Sequence, residues 1–167
     1  MTEEVEHDRS RKQKLAAITE LKCGMPHAQG TGTIRMSKPF LEVFAGLKLP
    51  TQVGRQFEDV EVLKITSTSK KDFLRIYISS EHLIPKEIVY KAENEIKNQL
   101  FKDNDLTVKM YERFRLSSQY TPQNLMDAYW ESILLEFRQY DHIMYIALRG
   151  AEITYPDSAK ILLTVEE

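Results

Sequence analysis

The sequence predicts an α+β fold, and three observations carry that prediction. Val60 to Thr66 and Phe73 to Ser79 are rich in β-branched and aromatic residues, and a polar Ser-Thr-Ser-Lys-Lys-Asp stretch separates them, the pattern of a hairpin. Pro85 opens a run to about Phe101 in which Ile88, Val89, Ala92, Ile96 and Leu100 recur at helical spacing. Thr121-Pro122 opens a second such run, where Leu125, Met126, Tyr129, Trp130, Ile133, Leu134 and Phe137 make a broad apolar stripe.

The elements follow in order. Ser37 is a suitable N-cap and Pro39 fits a first helical turn, so Phe40, Leu41, Val43, Phe44 and Leu47 suit a short helix. The hairpin comes next; in its second strand Leu74, Ile76 and Ile78 share one face, Arg75 and Tyr77 the other. Glu81 to Ile84 is a brief turn ahead of the Pro85 helix. Lys102-Asp-Asn-Asp105 is another turn, and Leu106 to Leu116 a long strand. Coarsely, residues 37–116 run α-β-β-α-α-β. Beyond the polar break at Ser117-Ser118-Gln119, Thr121 caps the clearest helix in the chain, with Pro122 at N1 where its missing N–H costs nothing. Asp141 to Arg149 predicts a second short helix, and Ala151 to Tyr155 with Ala159 to Val165 a hairpin around Pro156-Asp157-Ser158.

Three segments result. Residues 1–35 begin with mixed charge and end in a Gly- and Pro-containing stretch, which predicts a disordered leader or an upstream extension before a start at Met36. Residues 36–117 form the first α+β domain. Residues 118–167 read as the start of a second, cut short, because a helix pair and one hairpin cannot bury both of their faces.

Composition narrows the function classes. With 167 residues, 42% hydrophobic and 29% charged, the chain has the balance of a soluble globular protein. Cys23 is the only cysteine, which rules out an intramolecular disulfide. The longest apolar run, Ile143 to Leu148, is far too short to span a bilayer, and acids at Glu3, Glu4, Glu6 and Asp8 exclude a signal peptide. A cytoplasmic location is the expectation, with no membrane partner and no small-molecule substrate. A net charge of -2 argues against a protein devoted to holding phosphate backbone.

The candidate chemistry is sparse. Asp103 and Asp105 have the Asp-x-Asp spacing that can hold magnesium, yet they sit in a turn where Asp and Asn are expected for geometry alone. Cys23 and His27 lack further ligands nearby to complete a four-ligand site. His82 and His142 read as ordinary residues near helix starts. Gly30-Thr-Gly32 lacks the Gly-Lys-Ser/Thr ending of a phosphate loop. Tyr129 and Trp130 lie inside an apolar stripe, so core packing outweighs base stacking. Lys109, Tyr111, Arg113 and Arg115 form the best basic-plus-aromatic face, for which a solvated strand face is the simpler account. No catalytic, cofactor-binding or metal-ligating residue is therefore predicted, and no cofactor.

The α-β-β-α-α-β order is similar to a type II KH nucleic-acid domain, which clamps backbone with a Gly-x-x-Gly loop. Here no glycine lies between Gly54 and Gly150, so the clamp is missing. From Met36-Ser-Lys-Pro-Phe-Leu-Glu-Val-Phe44, through Leu74-Arg-Ile-Tyr-Ile-Ser79 and Arg115-Leu-Ser-Ser-Gln-Tyr-Thr-Pro-Gln-Asn124, to Tyr129-Trp-Glu-Ser-Ile-Leu-Leu-Glu136, the chain resembles the N-terminal region of the PolC-type DNA polymerase III of Gram-positive bacteria. The resemblance covers about 130 residues and includes no catalytic motif, so its weight comes from several stretches in order. It implies a clamp-less KH-like first domain serving replisome assembly. For the intact parent it implies DNA-directed nucleotidyl transfer, a 3'-5' exonuclease and magnesium, with DNA contacted through parts beyond residue 167. The expected main partner of this chain is thus replisome protein. The alternatives are a free-standing KH-like nucleic-acid binder and a small metal enzyme built on Asp103 and Asp105.

Overall fold

The computed structural model describes residues 32–165. Residues 1–31 of the predicted leader, with Cys23, His27 and Gly30, lie outside the described residues, whereas its last four, 32–35, lie in the first strand. Strand β1 (Gly32–Pro39) leads into helix α1 (Phe40–Val43) and helix α2 (Thr51–Gln56), then strands β2 (Glu61–Ser67) and β3 (Phe73–Ser80). Helix α3 (Lys86–Leu100) crosses over to strand β4 (Thr107–Phe114). Helices α4 (Pro122–Tyr140) and α5 (His142–Arg149) and strands β5 (Glu152–Asp157) and β6 (Lys160–Thr164) complete the order.

The α+β class stands. The main sheet has four strands in the order β1-β2-β3-β4, with β1–β2 and β2–β3 antiparallel and β3–β4 parallel. Parallel neighbours need a crossover connection, which α3 supplies. Its Ile88, Val89, Ala92 and Ile96 are buried as the periodicity predicts, against a sheet layer of Leu74, Ile76, Ile78, Val108 and Met110. A second layer of the core is aromatic: the Phe40 and Phe57 rings, both fully buried, lie 4.4 Å apart between centroids, with Phe44 at 4.8 Å from Phe40.

The start of the fold departs from expectation. Ser37 and Pro39 lie in β1, not at the head of a helix, and β1 begins four residues before the Met36 boundary, so that boundary falls inside a strand. The reason is long-range pairing: Ile34 faces Ile65 and Pro39 faces Glu61. β1 is an edge strand, where a proline without N–H is tolerated. Helix α1 is only four residues long, and α2, whose Val53 is buried, follows Pro50 as an element the sequence did not announce. Glu81 to Ile84 bends without coiling. The observed β-α-α-β-β-α-β order therefore differs from the type II KH order by an added first strand, by the second helix α2 ahead of the hairpin, and by one helix fewer after β3.

The later elements follow their local signals. Thr121 caps α4: its hydroxyl accepts from Asn124 N–H at 3.3 Å, while the Asn124 side chain accepts from Thr121 N–H at 2.6 Å. Asp141 caps α5 by accepting from the N–H groups of Ile143 and Met144 at 3.1 and 3.0 Å. Among the described residues strands β5 and β6 pair with each other alone, as a two-stranded sheet. Residues from Gly32 onward form one contact unit, and α4 is tied to α3 across the expected division near residue 117. There the Ser132 hydroxyl accepts from Lys86 N–H at 3.1 Å. No described helix is long and apolar enough to cross a membrane.

Candidate functional site

Three features of the folded chain gather polar, charged or apolar groups. The first is the seam where α3, β4 and α4 meet. Lys86 Nζ lies 2.9 Å from the Glu112 carboxylate and 3.1 Å from Glu136 Oε2. Tyr90 Oη donates to Glu136 Oε2 at 2.6 Å. Glu93, a buried carboxylate on α3, accepts the Met110 N–H at 2.6 Å and faces Lys109 Nζ at 3.9 Å. Burial opposes the charge on Lys86, but Glu112 and Glu136 outweigh it and raise its pKa. Burial also raises Glu93, more than the Met110 N–H and Lys109 lower it. Glu136 is exposed enough that Tyr90 and Lys86 overcome its desolvation and hold it below the usual carboxylate range. Burial, aided by nearby carboxylates, pushes the hydroxyls of Tyr90 and Tyr129 well up. Each of the three carboxylates faces a lysine, so this cluster is built to hold α4 against the sheet.

The second feature is the open face of the main sheet. The register brings Lys64, Tyr77 and Tyr111 side by side across β2, β3 and β4. Lys64 Nζ sits 3.9 Å over the Tyr77 ring, and Tyr77 stacks on Tyr111 at 5.1 Å with 19° between planes. Arg113 joins them in lining an open hollow of about 380 Å³. On the same face of β3, the Arg75 guanidinium lies 4.9 Å over the Phe73 ring. Arg115 reaches Glu61 at 3.3 Å.

The third is apolar. Ile143 and Ile146 on α5 are 80% and 61% exposed, and Leu162 on β6 is 52% exposed, with Met144, Ile161, Leu163 and Val165 also in solvent. Between α4 and α5 runs an open groove of about 920 Å³ whose rim includes Trp130, Arg138, His142, Tyr145 and Arg149.

The residues singled out from sequence divide among these places. Asp103 and Asp105 lie in the exposed turn between α3 and β4, where Asn104 N–H donates to the Phe101 carbonyl at 3.0 Å. Among the described residues no three His, Cys, Asp or Glu side chains gather as they would around a metal ion. His82 braces the end of β3: Nδ1 lies 3.2 Å from Ser80 Oγ and Nε2 3.2 Å from the Gln56 carbonyl. His142 stacks near Tyr145 on the groove. Tyr129 packs edge-on against Phe114 at 5.5 Å, while Trp130 reaches the groove.

The predicted basic stripe splits. Tyr111, Arg113 and Arg115 are exposed, but Lys109 turns to the seam, donating to Gln139 Oε1 at 3.0 Å and lying 4.8 Å over Tyr90. The seam residues Lys86, Glu93, Glu112 and Glu136 were not singled out from sequence. Glu93 had a readable signal: it stands four after Val89 and three before Ile96, inside the buried stripe.

Residues 39–110 match the family model described as DNA polymerase III polC-type N-terminus I. No curated protein and no solved structure matches the chain.

Proposed function

We propose that this chain, whose residues 39–110 match the family model of the DNA polymerase III polC-type N-terminus I, is a non-catalytic interaction module of such a replicative polymerase. The observation that carries the reading is the apolar surface of α5 and β6. Single exposed apolar side chains are ordinary, but Ile143, Met144 and Ile146 share one short helix, and Ile161, Leu162 and Leu163 follow each other on one strand. Surfaces of that kind meet protein. In this reading the partner is a replisome protein or another part of the polymerase. Nucleotidyl transfer, the exonuclease and the magnesium they use then belong to other parts of the parent, and the setting is the cytoplasm. A free-standing KH-like binder is the weaker alternative, because the clamp glycines are missing.

The test is binding of the full chain to purified replisome proteins and polymerase fragments, one at a time, by biolayer interferometry. The expected result is one saturable partner whose affinity falls at least tenfold with Ile146→Asp or Leu162→Asp while the thermal transition is unchanged. Binding to none, or binding indifferent to both substitutions, overturns the reading.

A further inference from the structure

We propose that the open face of the main sheet is a weak, salt-sensitive contact surface for single-stranded nucleic acid. It is centred on Tyr111 and flanked by Lys64, Arg75 and Arg113. Along the sequence the cations of β4 are interleaved with acid, since Glu112 stands beside Arg113. The sheet undoes that mixing. Strand alternation sends neighbouring side chains to opposite faces: Glu112 also borders the hollow, but its carboxylate is paired with Lys86 in the seam, while Arg113 lines the hollow with Lys64. Glu61, which the register places on this face, is likewise already paired, with Arg115. A chain of net charge -2 thus carries a locally cationic surface.

The aromatic rings decide which polyanion fits. Lys64, Tyr77 and Tyr111 form a stack running across the strands, and its last member sits on β4, the edge strand. Tyr77 is covered on one side by Lys64 and on the other by Tyr111. Among the described residues Tyr111 is stacked on one side, by Tyr77, and it is 44% exposed. A base laid against Tyr111 extends the stack by one ring, and the phosphates beside it fall within reach of Arg113 and Arg75. Stacking of this kind tolerates any base, because every base has a π-face. An acidic peptide matches the charge but leaves the ring unused, so nucleic acid is the better fit.

The experiment is fluorescence anisotropy of labelled oligo-dT and oligo-rU twelve-mers with the full chain, alongside heparin and a poly-glutamate peptide as competitors. Contacts to about three phosphates give a log–log salt slope near -2, which is roughly an eighteen-fold loss of affinity between 50 and 200 mM salt. The dissociation constant at the upper salt is expected at about 10 to 100 micromolar, in the non-specific range. Tyr111→Ala should weaken binding at least about fivefold, the low end of one base stack, while Tyr111→Phe keeps it. Arg75→Glu with Arg113→Glu should abolish it. In the unmodified chain, 5-iodouracil in the oligonucleotide should crosslink to Tyr111 or Tyr77. Preference for DNA or RNA between the two oligonucleotides names the natural source. No binding at 50 mM salt, indifference to Tyr111→Ala, tighter binding of poly-glutamate, or crosslinks confined to other residues each overturn the proposal.

Discussion

The Glu93 carboxylate reaches from α3 to the outer edge of the sheet and accepts the Met110 backbone N–H at 2.6 Å. An edge strand presents unpaired N–H groups, and this one is paired by a side chain that is itself buried. Helix and strand are thereby locked at a point where hydrophobic packing alone sets no register.

Glu93→Ala leaves a buried amide without an acceptor and should cost about 2 to 3 kcal/mol. Glu93→Gln keeps an acceptor oxygen and relieves the burial of charge, so its cost should stay within about 1 kcal/mol. Urea unfolding followed by circular dichroism separates the two; equal losses would show that charge rather than the hydrogen bond matters.

Lys86 faces Glu112 and Glu136 together, with side-chain exposures of only 14% for Lys86 and 8% for Glu112. Lys86→Met strands the Glu112 charge in a buried place and should destabilise by about 3 kcal/mol. Lys38→Met breaks a pair that is 41% and 59% exposed, and should cost less than about 1 kcal/mol. Chemical denaturation of both variants side by side checks the contrast.

The same seam sets an alkaline limit. Lys86 is raised from 10.5, and Tyr90 and Tyr129 from 10.0. A raised value means that the folded chain holds these protons more tightly than the unfolded one. Their contribution is therefore complete below about pH 10 and is lost as pH rises through the folded values. The urea midpoint should be level from pH 8 to 9.5 and fall steadily toward pH 11.5, and Tyr90→Phe should make that fall shallower.

Thr121 closes the first turn of α4 reciprocally with Asn124. Thr121→Ala should cost about 1 kcal/mol, and Thr121→Ser much less, because the serine hydroxyl keeps the cap. Differential scanning calorimetry of the two variants is the measurement; equal melting temperatures would remove the cap from the account.

How much of this was legible in the sequence depends on the range of the interaction. Thr121-Pro122, the Leu74-Ile76-Ile78 alternation and the Ile88-to-Ile96 stripe are local signals, and each element formed where its signal lay. β1 was hidden because Ser37, Lys38 and Pro39 mimic a helix start, and only pairing with β2, more than twenty residues away, makes them a strand. α2 is too short for periodicity to show. Lys109 had the right parity for the open face, but β4 is an edge strand, so a long side chain can wrap around it to Glu93 and Gln139. The Tyr77–Tyr111 stack needed the parallel register of β3 and β4, which no local pattern contains.

The crossover through α3 has a consequence for synthesis on the ribosome. β2 and β3 are joined by a five-residue turn and can pair as soon as both have emerged. β4 cannot join β3 until a further 26 residues have followed, so for that interval the row of Leu74, Ile76 and Ile78 has no finished layer above it. At about 5 to 20 residues per second the bare interval lasts a few seconds, a window in which trigger-factor-like chaperones would find their substrate. Rare codons within α3 would lengthen that window, whereas the same codons after Phe114 would leave it unchanged.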